Sequence, residues 1–307
     1  MTYVSFGAGT QSTALAFLVM NEDGRLIERA GVRPGSDCWP RYFAFADTGD
    51  EPRSVYRHLW RMSELFDHHG IELHIVRNGD ESLSEHVIRK ARAGEGGIST
   101  PPLFVESKDG SRGDGIPMRR SCTADFKARP LDDFAKRYWT ELAGCEPEGK
   151  SSALGGWSVP QWLGISRDEK RRMRTSDELW RTFKYPLIEM GWTRWHCQQY
   201  LKSQTYLDGS PVEIVRSACV YCPFHDKEEW RHVKSNPEDW ERVIEFEREI
   251  HDIHDNGDGI AGIKRRPYLN RWAVEMADLD LTDDDDQLNL WDEYAAFDVE
   301  CVGHCGV

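Results

Sequence analysis

Cysteine is the residue type in this chain whose spacing points first to chemistry. Cys219 and Cys222 are separated by two residues and followed directly by Pro223, and Cys301 and Cys305 form a second close pair. Two thiolates within one turn suit a metal ion or an iron–sulfur cluster. The same spacing also serves a dithiol redox pair or two small buried apolar residues. The proline and the second pair turn the balance toward ligands. Cys122 is set among Arg119, Arg120, Lys127 and Arg129. Cations lower the pKa of a thiol, so a ligating or reactive role is expected there. Cys38, Cys145 and Cys197 have no close partner in sequence and read as bystanders.

A second set of residues points to anions. Thr2 to Phe6 is a short apolar, β-favouring run that breaks into Gly7-Ala8-Gly9-Thr10-Gln11-Ser12 and continues as helix-forming Thr13 to Met20. Strand, glycine turn and helix aim backbone N–H groups and a helix N-terminus at a phosphate. Gly7 and Gly9 carry no Cβ to keep the ligand away, and Thr10 and Ser12 add hydroxyl donors. No Gly-Lys-Ser/Thr follows, and the pattern is not Gly-x-Gly-x-x-Gly, so neither familiar phosphate loop is present. Asp47-Thr48-Gly49 closes a second apolar run, where Asp47 could hold Mg²⁺ or a ribose. The basic segment Arg167 to Arg174 could clamp phosphates or form an exposed helix start.

The elements that must position these residues alternate. Arg41 to Ala46 and Ile71 to Val76 read as strands. Pro52 to His69 carries Val55, Leu59, Met62, Leu65 and Phe66 at helical spacing, and Glu81 to Ala93 is a further helix. This βαβαβα order predicts an α/β fold with a parallel sheet flanked by helices, its ligands at the carboxyl ends of the strands. Gly94 to Gly115 and Cys145 to Pro160 read as loops, Gln161 to Ser166 as a strand, and about Thr193 to Ser203 as a helix. From Pro211 the character changes to a compact cysteine turn and a helix opening at Asn236-Pro237-Glu238-Asp239. The expected division is residues 1–210 as a nucleotide-binding α/β domain and 211–307 as a cysteine-rich helical region.

Composition sets the bounds. A chain of 307 residues with 39% apolar content and twelve tryptophans can bury a large core. A net charge of −14 excludes a protein that coats nucleic acid nonspecifically, while leaving room for a local basic groove. The longest apolar run, Ala14 to Met20, is too short to span a bilayer. Strand-like sequence from residue 2 leaves no room for a targeting peptide, so a cytoplasmic location is expected. Eight cysteines then suggest metal or redox chemistry rather than a disulfide framework. The acidic run Asp283 to Asp286 reads as a solvated loop.

Taken together, these positions resemble the PP-loop superfamily, in its adenylyl-sulfate and phosphoadenylyl-sulfate (PAPS) reductase branch. The family loop reads roughly Ser-Phe-Ser-Gly-Gly-Lys-Asp-Ser; here it is Ser5-Phe6-Gly7-Ala8-Gly9-Thr10-Gln11-Ser12. Ala46-Asp47-Thr48-Gly49 is similar to the second nucleotide motif. Trp162-Leu163-Gly164-Ile165-Ser166-Arg167, with Arg171 or Arg172 beyond, resembles the arginine-bearing segment. Pro186-Leu187 and Trp192-Thr193 resemble Pro-Leu-x-x-Trp-Thr with a longer spacer. Cluster-bearing members carry Cys-Cys-x-x-Arg-Lys-x-x-Pro-Leu, then Cys-x-x-Cys, then Glu-Cys-Gly-x-His. Cys122-Thr123 through Phe126-Lys127 to Pro130-Leu131 keeps the first spacing with one cysteine replaced, and Glu300-Cys301 begins a loosely similar tail. Gln11 stands where the ATP-splitting members have aspartate. The pattern resembles the less characterised phage and bacterial relatives, which include DNA-phosphorothioation sulfurtransferases, more than it resembles a housekeeping sulfate-assimilation reductase.

The resemblance implies an adenine nucleotide alpha hydrolase-like fold and an adenine-nucleotide-dependent sulfurtransferase that adenylates an acceptor for thiolation. Residues Ser5 to Ser12, Asp47, Thr48, Gly49, Gly164, Arg167, Arg171 and Arg172 would bind ATP or adenylyl sulfate, with Mg²⁺ open. Cys122, Cys219, Cys222 and Cys301 or Cys305 would hold an iron–sulfur cluster, 4Fe-4S, with zinc as the alternative. Lys127, Arg167 and the remaining tail cysteine would act in catalysis. A sulfur-donor protein, a nucleic-acid acceptor, and a homo-oligomer or complex are the implied partners, with no membrane. The alternatives are reduction of adenylyl sulfate or its 3′-phosphorylated form, and a non-catalytic nucleotide-binding subunit of a modification or defence complex.

Overall fold

Tyr3-Val4-Ser5 forms strand β1, buried on both sides, as the central strand of a parallel sheet must be. The computed structural model describes residues 2–36, 38–95, 101, 103–105, 116–117, 121–143, 158–256 and 265–282. Their elements run β1 (Tyr3–Ser5), α1 (Thr10–Met20), α2 (Gly24–Ala30), β2 (Tyr42–Ala46), α3 (Arg53–His68), β3 (Glu72–Val76), α4 (Leu83–Arg92), β4 (Phe104–Val105) and β5 (Ile116–Pro117). A π-helical turn (Thr123–Ala128) leads into α5 (Arg129–Ala143) and β6 (Val159–Leu163). A 3₁₀ segment (Arg167–Arg172) then precedes β7 (Arg181–Lys184), α6 (Pro186–Glu189), α7 (Arg194–Leu201), α8 (Lys227–Lys234), α9 (Pro237–Asn256) and β8 (Pro267–Tyr268).

The fold is α/β, with a five-stranded parallel sheet in the order β3-β2-β1-β6-β7. Alternation along the strands divides its two faces. Val4, Phe43 and Phe45 pack with α1 and α3, whereas Tyr3, Ala44 and Ala46 pack with Leu131, Phe134 and Ala135 of α5. The apolar positions read as one face of α3 are all buried. A third core joins Leu83, Val87 and Ile88 of α4 to Trp230 of α8 and to Val243, Phe246 and Ile250 of α9. It lies beside a small antiparallel sheet, β5-β4-β8. Val212 and Val215, just past the expected boundary at residue 210, pack into the first core with α1. No helix among the described residues is long and apolar enough to cross a membrane.

Several elements differ from the sequence reading. The strand expected at Gln161–Ser166 starts two residues earlier and ends three earlier, at Val159–Leu163. Pro160 is tolerated because β1 pairs only from Gln161 onward, so the missing N–H faces no partner on that side. Helix α2 was not expected; the Asp23 carboxylate caps it by accepting from Arg25 N at 2.9 Å. Strand β7 is short, and its register comes from β6 rather than from its own pattern. Asp283 to Asp286 lie outside the described residues.

Candidate functional site

Strand order reverses between β1 and β6, and in open α/β sheets that reversal leaves a crevice outside the carboxyl ends of the strands. A cleft lies there, lined on one side by Gly9, Thr10 and Gln11 of the β1 loop and by Glu169 and Arg172 after β6. Leu83, Pro101 and Phe224 supply an apolar wall, and Cys122, Lys127, Cys219 and Cys222 a polar one.

The β1 loop is built around a backbone constraint. Ala8, fully buried, has φ 55°, a left-handed conformation that costs a residue with a Cβ about 1–2 kcal/mol. Gly9 is extended. Two hydroxyls expected as phosphate donors are already engaged within the protein. Ser12 Oγ exchanges hydrogen bonds with Gly9 N and O, each 3.1 Å, and Thr10 Oγ1 donates to Val215 O at 3.4 Å. The first-turn N–H groups of α1 are therefore what the loop presents. Gln11, only 2% exposed, donates to Ser166 Oγ at 3.4 Å and so ties the β1 loop to the β6 loop. Gly164 permits this approach: a Cβ there would sit 2.8 Å from Ser12 Cα and 2.9 Å from Ser12 N.

The loop after β2 behaves differently. Asp47 is buried and accepts from Gly49 N at 2.9 Å, Tyr56 Oη at 2.8 Å and Arg77 Nε at 2.8 Å. Its carboxylate is thus turned to the scaffold and does not line the cleft. Gly49 has φ 78°, and a Cβ there would meet Ser82 Cβ at 2.6 Å. Asp50 accepts from Ser84 N at 2.8 Å and from Tyr221 Oη, and pairs with Arg242 at 3.2 Å; burial raises its pKa. Glu51, 0% exposed, takes Lys127 Nζ at 3.4 Å and the hydroxyls of Thr48 and Ser217, each at 3.4 Å.

These contacts position the cysteine turn. Val220 N donates to Asp50 O at 2.7 Å, and Cys222 N to Cys219 O at 2.9 Å. Thr48 Oγ1 lies 3.3 Å from Cys219 Sγ. His225 Nε2 donates to the Cys219 carbonyl at 3.0 Å, and its Nδ1 lies 3.3 Å from Glu229. Burial pushes the Cys219 thiol well up, Glu51 adds to that, and Lys127 opposes it. Across the cleft, the π-helical turn explains how Cys122 and Lys127, five residues apart, both reach the lining. An i→i+5 turn brings such residues near one face, where an α-helix would separate them.

No family model, curated protein or solved structure matches this chain.

The structure thus brings Gly9, Thr10, Gln11, Arg172, Cys122, Lys127, Cys219 and Cys222 to one cleft. Ser5 and Phe6 are buried, Phe6 packing on Phe43 and Phe66 in the core. Gly7, Ala8, Thr48, Gly49 and Gly164 stand behind the lining as scaffold. Arg167 and Arg171 are exposed and do not line the cleft; Arg167 N instead donates to Trp192 O at 2.7 Å. Cys301, Cys305, Arg119, Arg120 and Cys145 lie outside the described residues. Cys38 is exposed, and Cys197 is buried with its pKa pushed up to about 12 by burial. Cys122, Cys219 and Cys222 all line the one cleft, and thiol sulfur is the donor type that a thiolate-bound metal group takes. Among the described residues, no three His, Cys, Asp or Glu side chains are grouped so as to hold a metal ion.

Glu51, Arg194, Arg216 and His225 were missed by sequence reasoning. Glu51 directly follows the Asp-Thr-Gly-Asp run and His225 directly follows the cysteine turn, so proximity to a motif was the signal for both. Arg216 pairs with Glu229, whose pKa burial alone would raise but His225 and Arg216 hold down. Nothing local marks Arg194.

Proposed function

We propose that this protein is an adenine-nucleotide-dependent sulfur-transfer enzyme with a PP-loop-type site. The observation that carries the reading is the convergence, on one cleft, of the α1 N-terminus, basic side chains and three cysteines. A helix N-terminus at the switch point suits the phosphates of ATP. Lys127 and Arg172 would neutralise charge that develops as an acceptor oxygen attacks the α-phosphorus and pyrophosphate leaves. A sulfur nucleophile from a donor would then displace AMP from the acceptor. The apolar wall of Leu83, Pro101 and Phe224 suits the nucleobase and excludes water. Glu51 holds Lys127 in place from below. Cys122, Cys219 and Cys222, completed by Cys301 or Cys305, would hold the iron–sulfur cluster. When bound, the cluster supplies a thiolate-ligated metal centre for sulfur chemistry.

Anaerobic purification of the full chain with iron and sulfide analysis, followed by pyrophosphate release from ATP with DNA or tRNA as acceptor, tests the proposal. Equal iron and sulfide together with acceptor-dependent pyrophosphate support it. A colourless protein holding one zinc sinks the cluster. Sulfite release from adenylyl sulfate with thioredoxin would instead identify the reductase. ATP binding with no pyrophosphate release would leave a nucleotide-binding subunit.

A further inference from the structure

Four cationic side chains line the cleft, and three of them face a carboxylate. Lys127 lies 3.4 Å from Glu51, Arg172 lies 2.9 Å from Glu169, and Arg216 pairs with Glu229. The fourth, Arg194, is half-buried, and among the described residues no carboxylate pairs with its guanidinium. The acid that reaches this residue is Asp168, and it does so through the backbone. Its two oxygens take Arg194 N at 3.2 and 3.1 Å, and one of them also accepts from Ser166 Oγ. Asp168 therefore anchors the first residue of α7 and leaves the guanidinium to the cleft.

The difference has an electrostatic meaning. In a chain of net charge −14, a cleft cation without a counter-charge is the one best able to take an anion from solution. A paired cation must first share or give up its carboxylate. Guanidinium also presents its donors as a planar fork that matches two phosphate oxygens.

We infer that Arg194 is the residue that receives a phosphate of the ligand in this cleft, the role that motif resemblance assigned to Arg167. The inference rests on the nucleotide reading above for the identity of the ligand, though not for its anionic character. Arg167 is exposed and its backbone serves the β6–α7 junction, so it holds the scaffold rather than the ligand.

Calorimetric titration of the full chain, purified anaerobically, with ATP, inorganic pyrophosphate and adenosine tests this. Arg194→Met should weaken ATP and pyrophosphate by about 10- to 100-fold, the worth of a charge-assisted contact, and leave adenosine unchanged. Arg194→Lys should lose less, because an ammonium keeps the charge but not the fork. Arg167→Met should stay within about twofold of the parent, as expected for an exposed charge away from the ligand. Because Asp168 holds the backbone N–H, the Arg194 variants should melt as the parent does.

The inference is overturned if Arg194→Met binds ATP as tightly as the parent while Arg167→Met does not. It is equally overturned if Arg194→Met weakens adenosine as much as ATP, which would mark a structural role. Should the parent bind pyrophosphate but not ATP, with only the Arg194 changes weakening it, the nucleotide reading falls and the assignment of Arg194 stands. A parent that binds neither overturns both.

Discussion

The loops that leave β1 and β2 start side by side at the same edge of the sheet, yet they spend their polar groups in opposite directions. The β1 loop turns its hydroxyls inward, Ser12 to Gly9 and Thr10 to Val215, and presents helix-start N–H groups to the cleft. The β2 loop turns its carboxylates inward and presents almost nothing. Asp47 holds Arg77 and Tyr56, Asp50 holds Tyr221 and α4, and Glu51 holds Lys127. One loop presents backbone to the cleft; the other positions cleft side chains that come from elsewhere in the chain. Position at a strand end therefore does not by itself make a residue a ligand-binding one.

The largest expected effect tests the scaffold half of this contrast. Glu51→Ala removes a buried carboxylate partner of Lys127 and an acceptor shared by the buried hydroxyls of Thr48 and Ser217. It should destabilise the protein by about 3–5 kcal/mol in chemical denaturation. Unchanged stability with lost ATP binding would move Glu51 to the ligand side.

A comparable effect is expected from pH at the far end of the β1 loop. His58 is buried between Thr13 Oγ1 at 2.9 Å and Tyr206 Oη at 2.6 Å, and burial, then the Arg61 charge, pulls its pKa from 6.5 to about 4. The folded state keeps it neutral while the unfolded chain protonates near 6.5. Its contribution is therefore complete above about 6.5 and is lost as pH falls toward about 4. The full loss is on the order of 3 kcal/mol. Denaturation midpoints followed across that window should fall in the parent and fall less in His58→Gln.

Gly164→Ala should cost about 1–3 kcal/mol, because the new methyl meets backbone of α1 rather than a side chain that can move. It should also weaken ATP binding by displacing the helix start. Equal binding would show that the β1 loop tolerates a shift. Asp47→Asn should lower stability by about 1–2 kcal/mol and leave nucleotide affinity unchanged, since the carboxylate faces Arg77 and Tyr56. A large loss of Mg²⁺-dependent binding would reverse that reading. The smallest change is Ala8→Gly. It relieves the left-handed strain but loosens the unfolded chain, and should raise stability by no more than about 1 kcal/mol.

Much of the framework was legible in the residue pattern. The alternating apolar runs announced the parallel sheet, and Val55, Leu59, Met62, Leu65 and Phe66 announced the buried face of α3. Cys219, Cys222 and Cys122 were legible as a set, and they do share one cleft. The short strands were not legible: β4 and β8 are two residues each, too brief for any period to register. Helix α8 carries its own signal, an Asp226 cap reciprocated by Glu229, but its mostly polar sequence hid it.

Sequence alone determined the class of the sheet and the tight glycine-bearing turn after its first strand, because burial period and turn chemistry are local properties. Tertiary structure decided which charged groups line the cleft and which are tied into the scaffold. Thr48 meets Cys219 across 171 positions, Gln11 meets Ser166 across 155, and Arg61 meets Asp208 across 147. Pairings at such separations are set by how the layers pack, and they leave no period in the chain. For that reason Arg167 looked like the phosphate residue in the sequence, while the folded chain turns Arg194 to the cleft without a carboxylate partner among the described residues.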